Sequence, residues 1–215
     1  MNTTERKRNR RLGLILSLCF LIIWASLGTS ASLAWFADTS PEVNNIFNFA
    51  DFGVEVSHRL TDGTWEKVDS KTKLFDEKAL YEPGYTQVVY LKVDNKGSVP
   101  FYYKTAVIVN GVDIATNVYG RELDLQKYLK FGLVATDSEE NMKRSVEDRE
   151  KAKNIAVTPL NDYTTDKARL ENGETAYIAL VVRMPEEVTN VANYRLDKIP
   201  EVRLGVVVTA EQIKK

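Results

Sequence analysis

The sequence predicts an all-β protein in which two antiparallel sheets pack face to face as a β-sandwich, with minor helical insertions and an N-terminal signal helix in front. Three observations predict it. Several segments alternate apolar and polar residues with period two, turn signals recur between them, and helical periodicity is confined to one charged stretch and one short one. Period two in an extended chain sends alternate side chains into the core and into water, so these segments are half-buried strands. Many strands and few helices bury their apolar faces best against one another.

Taken in order, Arg6, Lys7, Arg8, Arg10 and Arg11 precede Leu12 to Trp24, an apolar stretch that no charged side chain interrupts. A basic n-region, an apolar segment and small residues that present an extended cleavage site make the plan of a signal peptide. Ser32-Leu33-Ala34 fits that site, and residues 1–34 are expected to be removed. An uncleaved anchor is the alternative, because the mostly apolar run continues to Phe36 and about 20 residues span a bilayer. Arg10-Arg11 lacks the flanking residues of a twin-arginine signal. Cys19 follows a bulky residue too early in the apolar segment for a lipoprotein site.

Removal of residues 1–34 takes away five of the 29 basic side chains and one of the 30 acidic ones, leaving 24 against 29 and a net charge of −5. Such a mixed, mildly acidic surface has no clustered Lys and Arg to track a phosphate backbone, so nucleic acid is excluded as a partner. Cys19 is the only cysteine, so the mature part has no disulfide and no thiolate site and depends on packing for stability. About 180 residues suit one domain with a single core.

In the mature part, Phe52, Val54, Val56 and Leu60 alternate with Gly53, Glu55, Ser57 and Arg59. The run ends in Thr61-Asp62-Gly63 before Trp65 and Val68 resume, which predicts a hairpin. After Pro83-Gly84, Tyr85 to Asp94 is apolar on both faces and reads as an interior strand. Asn95-Lys96-Gly97-Ser98 is turn chemistry, and Phe101 to Val109 is a further strand expected to close at Asn110-Gly111. Strands follow at Phe131 to Thr136, Thr175 to Met184 and Val202 to Ala210. Asp137 to Lys153 is charged with a narrow apolar stripe through Met142 and Val146, which predicts a solvated helical insertion. A short helix is expected around Glu122 to Leu129, with Leu123, Leu125 and Leu129 docking on a sheet edge. No fixed-period repeat and no low-complexity tract is present.

The chemistry-bearing residues are few. His58 is the one histidine, it lies in a strand pattern, and no His-Glu-x-x-His accompanies it, so it reads as a partly buried or edge histidine. Gly-Lys-Ser/Thr and Gly-x-Ser-x-Gly are absent. Asp137-Ser138-Glu139-Glu140 offers oxygens to a calcium ion, but acidic and hydroxyl residues also open helices, and capping by Asp137 or Ser138 is the preferred reading. Consecutive rings of Phe101-Tyr102-Tyr103 point to opposite sides of a strand, so at most alternate rings share a surface, which favours packing over a carbohydrate-stacking face. No catalytic, cofactor-binding or metal-binding residue is assigned.

Trp35-Phe36-Ala37-Asp38-Thr39-Ser40, then Asn44-Asn45-Ile46-Phe47-Asn48-Phe49 and Val54-Glu55-Val56, strongly resemble the N-terminus of the TasA/camelysin family of Gram-positive exported proteins. In that family an aromatic pair and an Asp follow the site cut by a SipW-type signal peptidase. The resemblance places the cut between Ala34 and Trp35, with Ser32 and Ala34 on its leader side. It extends loosely to Pro83-Gly84, Asn95-Lys96-Gly97-Ser98 and the strand Leu204 to Thr209. One departure is that the family often has a Gly before its first strand where this chain has Asp51-Phe52, with Gly53 displaced.

The resemblance implies a jelly-roll-like sandwich, exported to the cell surface or biofilm matrix, whose subunits join into fibres. On that division residues 1–34 are the signal peptide, 35–51 a donor segment and 52–215 the sandwich, with its charged insertion near 137–153. Trp35, Phe36, Ile46, Phe47, Phe49 and Phe52 carry too much apolar surface to stay free in water at about 25 cal/mol per Å². They must fold back or add to the sheet edge of another copy, where backbone hydrogen bonds give affinity and alternate side chains give register. The expected partners are the signal peptidase during export and other copies of the chain, with the membrane touched only through the signal segment. Two other readings stand beside this one. A monomeric surface adhesin is expected if the segment packs into its own sheet and loops near Asn110-Gly111 or Asn161-Asp162 form a pocket. A camelysin-like metallopeptidase is weakened by the single histidine.

Overall fold

A computed structural model of the chain describes residues 45–48, 53–76, 81–160, 166–195 and 198–213. The signal segment, the cleavage site and the loop at Asn161-Asp162 lie outside them. No helix among the described residues is long and apolar enough to cross a membrane.

The strands are β1 (Ile46–Asn48), β2 (Val54–Arg59), β3 (Trp65–Lys67), β4 (Thr86–Asn95), β5 (Phe101–Asp113), β6 (Ala115–Thr116), β7 (Glu122–Leu123), β8 (Lys130–Thr136), β9 (Thr158–Pro159), β10 (Ala168–Leu170), β11 (Thr175–Arg183) and β12 (Glu201–Gln212). One sheet has the order β1-β12-β5-β10, the other β3-β2-β4-β11-β8-β9, and β6 and β7 form a small ladder of their own. When β1, β4, β5, β8, β9, β10, β11 and β12 are counted as eight successive strands, the sheets read 1-8-3-6 and 2-7-4-5. First neighbours last, second neighbours seventh, and so inward: this is the jelly-roll order, with the β2–β3 hairpin added at one edge. The sequence expectation of an antiparallel sandwich holds with one exception, since β1 runs parallel to β12.

The inner faces meet in one core. Val89, Leu91 and Val93 of β4, Ile178, Leu180 and Val182 of β11, Phe101 and Val107 of β5, and Val202, Leu204, Val206 and Val208 of β12 are buried together. Each such side chain contributes about 1.5–3 kcal/mol on leaving water. β4 is hydrogen-bonded on both sides, to β2 and β11, as its two-sided apolar pattern requires.

The charged insertion forms two helices, α1 (Glu139–Ser145) and α2 (Arg149–Ile155). Its sequence reads as one stretch, but it contains two caps: Ser138 accepts from the Asn141 N–H and Asp148 from the Lys151 N–H. The second cap restarts the helix. Met142, Val146, Ala152 and Ala156 cover Ala179 and Val181 on the outer face of β11, so that strand is buried on both sides. Gly132 makes the approach of α2 feasible, because a Cβ there would stand 2.0 Å from the Ile155 carbonyl oxygen.

Two expectations are corrected. Asn110-Gly111 is not a turn: β5 runs through it to Asp113, and a bulge opposite Arg203/Leu204 absorbs Asn110 as an extra residue. Gly111 is used for space, since the Arg203 side chain lies across the position a Cβ would take and reaches Asp113 Oδ2 at 2.8 Å. The short helix at Glu122 to Leu129 shrinks to a 3-10 turn at Leu125–Lys127, because Glu122-Leu123 is drawn into β7. Leu123, Leu125 and Leu129 are buried as expected.

Candidate assembly edge

β1 is the outermost strand of its sheet. Its three residues face part of a twelve-residue partner, with Ile46 opposite Val207, Phe47 opposite Val208 and Asn48 opposite Thr209. Alternation sends Phe47 inward, where it packs against the core, and leaves Ile46 on the outer face at 45% exposure. A parallel ladder is slightly less stable per residue than an antiparallel one, and three pairs give little to hold it.

The hold comes from Asn45. Its side chain is buried, its Oδ1 accepts the backbone N–H of Val206 at 2.9 Å, and its Nδ2 donates to the Thr72 carbonyl at 2.8 Å and the Asp69 carbonyl at 3.4 Å. Its own backbone N–H donates to the Ser70 carbonyl at 3.0 Å. An amide side chain suits this place because it carries an acceptor and donors at one tip. It prolongs the ladder on β12 by one rung and fastens the strand to the 69–72 turn.

That turn is stiffened by its own bonds. The Asp69 carboxylate accepts from the Lys71 N–H and the Thr72 hydroxyl, while Thr72 Oγ1 accepts the Asp69 N–H. The Thr72 hydroxyl first, then the Lys71 N–H, hold the Asp69 carboxyl below the usual aspartate range. The carbonyls that receive Asn45 are therefore presented by a closed loop.

The remaining sheet edges among the described residues are short and leave few unpaired backbone groups open to another strand: β10 and β3 have three residues each, and β9 has two, one of them Pro159. Before β2, Gly53 has φ +71° and lies against Gly97, where a Cβ would meet the Gly97 nitrogen at 2.7 Å. The displaced glycine thus serves a left-handed residue packed on the Asn95–Ser98 turn.

Of the residues expected to drive assembly, Ile46 and Phe47 lie within β1, while Trp35, Phe36, Phe49 and Phe52 lie outside the described residues, as do Ser32 and Ala34. His58 sits between β3 and β4 with its side chain 13% exposed and its Nε2 3.6 Å from Glu66 Oε2. No group of three or more His, Cys, Asp and Glu able to hold a metal occurs among the described residues. Ser138 caps α1, and Glu139, beside it, accepts from Arg59 Nε and Trp65 Nε1, each at 3.2 Å, and pairs with Lys143. An open cleft of about 460 Å³ lies between β10 and β8, with Tyr103, Thr136, Asp137, Arg169 and Glu174 among its lining; Asn110-Gly111 takes no part in it.

Sequence reasoning gave Asn45 no role beyond the family motif and read Glu139 only as one of the acidic residues opening a helix, not as the partner of Arg59 and Trp65. An asparagine before a Phe-containing strand reads as turn chemistry, and only its burial between β12 and the 69–72 turn reveals its use.

No family model matches the chain, and no curated protein matches it. Among solved structures it is similar to the ASH/PapD-like domain of human CEP192 (PapD-like domain 7), at 11% identity and a TM-score of 0.26, over 62% of this chain and 77% of that one. It is also similar to a family 123 glycoside hydrolase from Clostridium perfringens, at 10% identity and a TM-score of 0.22, over 62% of this chain and 22% of that one.

Proposed function

We propose that this chain is an exported structural subunit of a Gram-positive cell surface or biofilm matrix, released by a SipW-type signal peptidase, which joins further copies by passing its β1 region to the β12 edge of a neighbour. The observation that supports this reading is the mismatch at that edge. Three parallel residues with an exposed Ile46 occupy a strand of twelve. A segment that leaves its own β12 for another copy's regains the same hydrogen bonds and the same seat for Phe47, so exchange costs little beyond the entropy of association. Contacts of this kind join two different surfaces, head to tail, and propagate into an open fibre wherever the rotation between subunits does not close a ring. Cleavage after Ala34 frees Trp35 and Phe36 to travel with the donated segment. The reading uses no catalytic residue, cofactor or metal.

The test compares chains that begin at Trp35 and at Asp51 by electron microscopy and sedimentation. Filaments from the longer chain alone are expected. Equal behaviour of the two, both assembling or neither, would remove the reading.

A second reading, a monomeric surface adhesin, is favoured by the pairing of β1 with β12 of its own chain and by the cleft beside Arg169 and Glu174. It requires the Trp35 chain to stay monomeric at the concentrations at which filaments are sought.

A further inference from the structure

Resting on the reading above, we propose that Asn45 is the register-setting residue of the assembly edge: the β12 edge recognises a strand by an asparagine two residues ahead of an inward phenylalanine, and the partner that carries this pair is a second copy of the same chain.

The need for such a residue follows from the sequence of the strand. Period two lets a segment slide by two residues and keep its inward and outward faces. Phe47 and Phe49 are two residues apart, so a slip of that size exchanges one phenylalanine for the other and leaves the alternation intact. Three ladder pairs do not distinguish the two positions strongly. Asn45 does. In the observed register its Oδ1 meets the Val206 N–H at 2.9 Å and its Nδ2 meets the Thr72 carbonyl at 2.8 Å. After a two-residue slip that would bring Phe49 opposite Val208, Phe47 would occupy this place and offer neither a donor nor an acceptor to two groups that Asn45 now satisfies, a loss that is costly for buried polar atoms. The asparagine also reads two elements at once, β12 and the 69–72 turn, so the receiving site is a socket and not merely an open edge.

The experiment uses the chain Trp35–Lys215 and amide hydrogen exchange at Val206, with core amides of β11 as reference. In Asn45→Ala, exchange at Val206 is expected to rise about tenfold or more while Ile178 keeps its rate, the size set by one lost buried hydrogen bond. Asn45→Asp keeps the acceptor for Val206 and loses the donors to Thr72 and Asp69, so its Val206 rate should fall between the two. In trans, a synthetic peptide of residues 43–49 added to the unmodified chain should shift the Val206 amide resonance, and the same peptide with Asn45→Ala should need about tenfold more to do so. Equal potency of the two peptides, or a rise in exchange spread evenly over β5 and β11, would overturn the proposal. Filaments that form equally well from Asn45→Ala with Val206 still protected would overturn it and leave strand exchange standing. Absence of filaments from every chain, with the Val206 and peptide effects intact, would remove fibre assembly and leave the register role in place.

Discussion

Arg183 donates through Nε to the carbonyl oxygen of Ala156 at 2.8 Å, joining a strand buried on both faces to the residue that ends α2. A cation at a helix C-terminus satisfies a carbonyl the helix leaves open and faces the negative end of its dipole. The neighbouring strand completes the seat, because Gly132 lets the Ile155 carbonyl rest where any other residue would place a Cβ. Gly132→Ala must lift α2 off the sheet or shift β8. It is expected to cost about 3 kcal/mol, at the upper end of overpacking effects, since the obstacle is backbone. Arg183→Met, which leaves the Ala156 carbonyl unpaired, should cost about 1–3 kcal/mol. Urea midpoints of the two variants check both values.

Glu139 ties α1 to the β2–β3 hairpin through Arg59 and Trp65 and pairs with Lys143 in its own helix. Lys143 first, then the Trp65 N–H and the Arg59 charge, hold the Glu139 carboxyl below its ordinary value of 4.5. A carboxyl whose folded pKa is depressed binds fewer protons in the folded state, so its stabilisation is complete above about pH 4.5 and is lost as pH falls through the lower folded value. Asp69, held down by the Thr72 hydroxyl, and Asp113, held down by Arg203, act in the same direction below their ordinary 3.8. The unfolding free energy is therefore expected to decline between about pH 5 and pH 3. In Glu139→Gln the decline should be shallower, with the near-neutral value lowered by solvent-screened contacts only. A series of urea midpoints across that pH range measures it, and an unchanged slope would contradict the assignment.

Legibility in the sequence followed the reach of the interaction involved. Strand positions were readable at Tyr85 to Asp94 and Thr175 to Met184 because period two and β-branched residues act within a few residues of each other. Asn110-Gly111 is ambiguous in the sequence because the same dipeptide serves a hairpin turn and a bulge, and only the partner strand decides which: Arg203 needs the space over Gly111, and Glu201 pairs with Asp113 beyond it. The docking of Leu123 and Leu125 is visible from their spacing, but the backbone of Glu122-Leu123 pairs with Ala115–Thr116 in a ladder, which leaves only Leu125–Lys127 helical. On β1 the apolar side chains Ile46 and Phe47 stand out by composition. Asn45 does not, since its partners, Val206 and the Asp69, Ser70 and Thr72 carbonyls, lie 24 residues or more along the chain.

Thr105 carries its hydroxyl on the inner face of β5, in the cross-sheet row with Val208 and Phe47, and its Oγ1 is buried with no hydrogen-bond partner among the described residues. A buried hydroxyl without a partner forfeits about 1–3 kcal/mol of hydration. Thr105→Val replaces it with a methyl of similar volume and should raise stability by about 1 kcal/mol, read as a higher thermal midpoint. A lower midpoint would mean that the hydroxyl is satisfied by a water or by a residue of the chain outside the described segments.

Ile46 and Val207 are aligned partners on the outer face of the parallel β1–β12 ladder, which makes them a reporter of where β1 resides. Neighbouring strands lie about 4.7–4.9 Å apart, within the Cα separation a disulfide tolerates. The chain from Trp35 onward contains no cysteine, so the pair Ile46→Cys and Val207→Cys introduces its only two thiols. If β1 must leave its own sheet for assembly, oxidation of the monomer locks the strand in place and abolishes filaments, and reduction restores them. Filaments grown under reducing conditions and then oxidised should carry the bond between different chains, seen as a ladder of covalent multimers on a non-reducing gel. Oxidised monomers that polymerise as fast as reduced ones would show that β1 never leaves, and the contact between subunits would have to be sought at another edge.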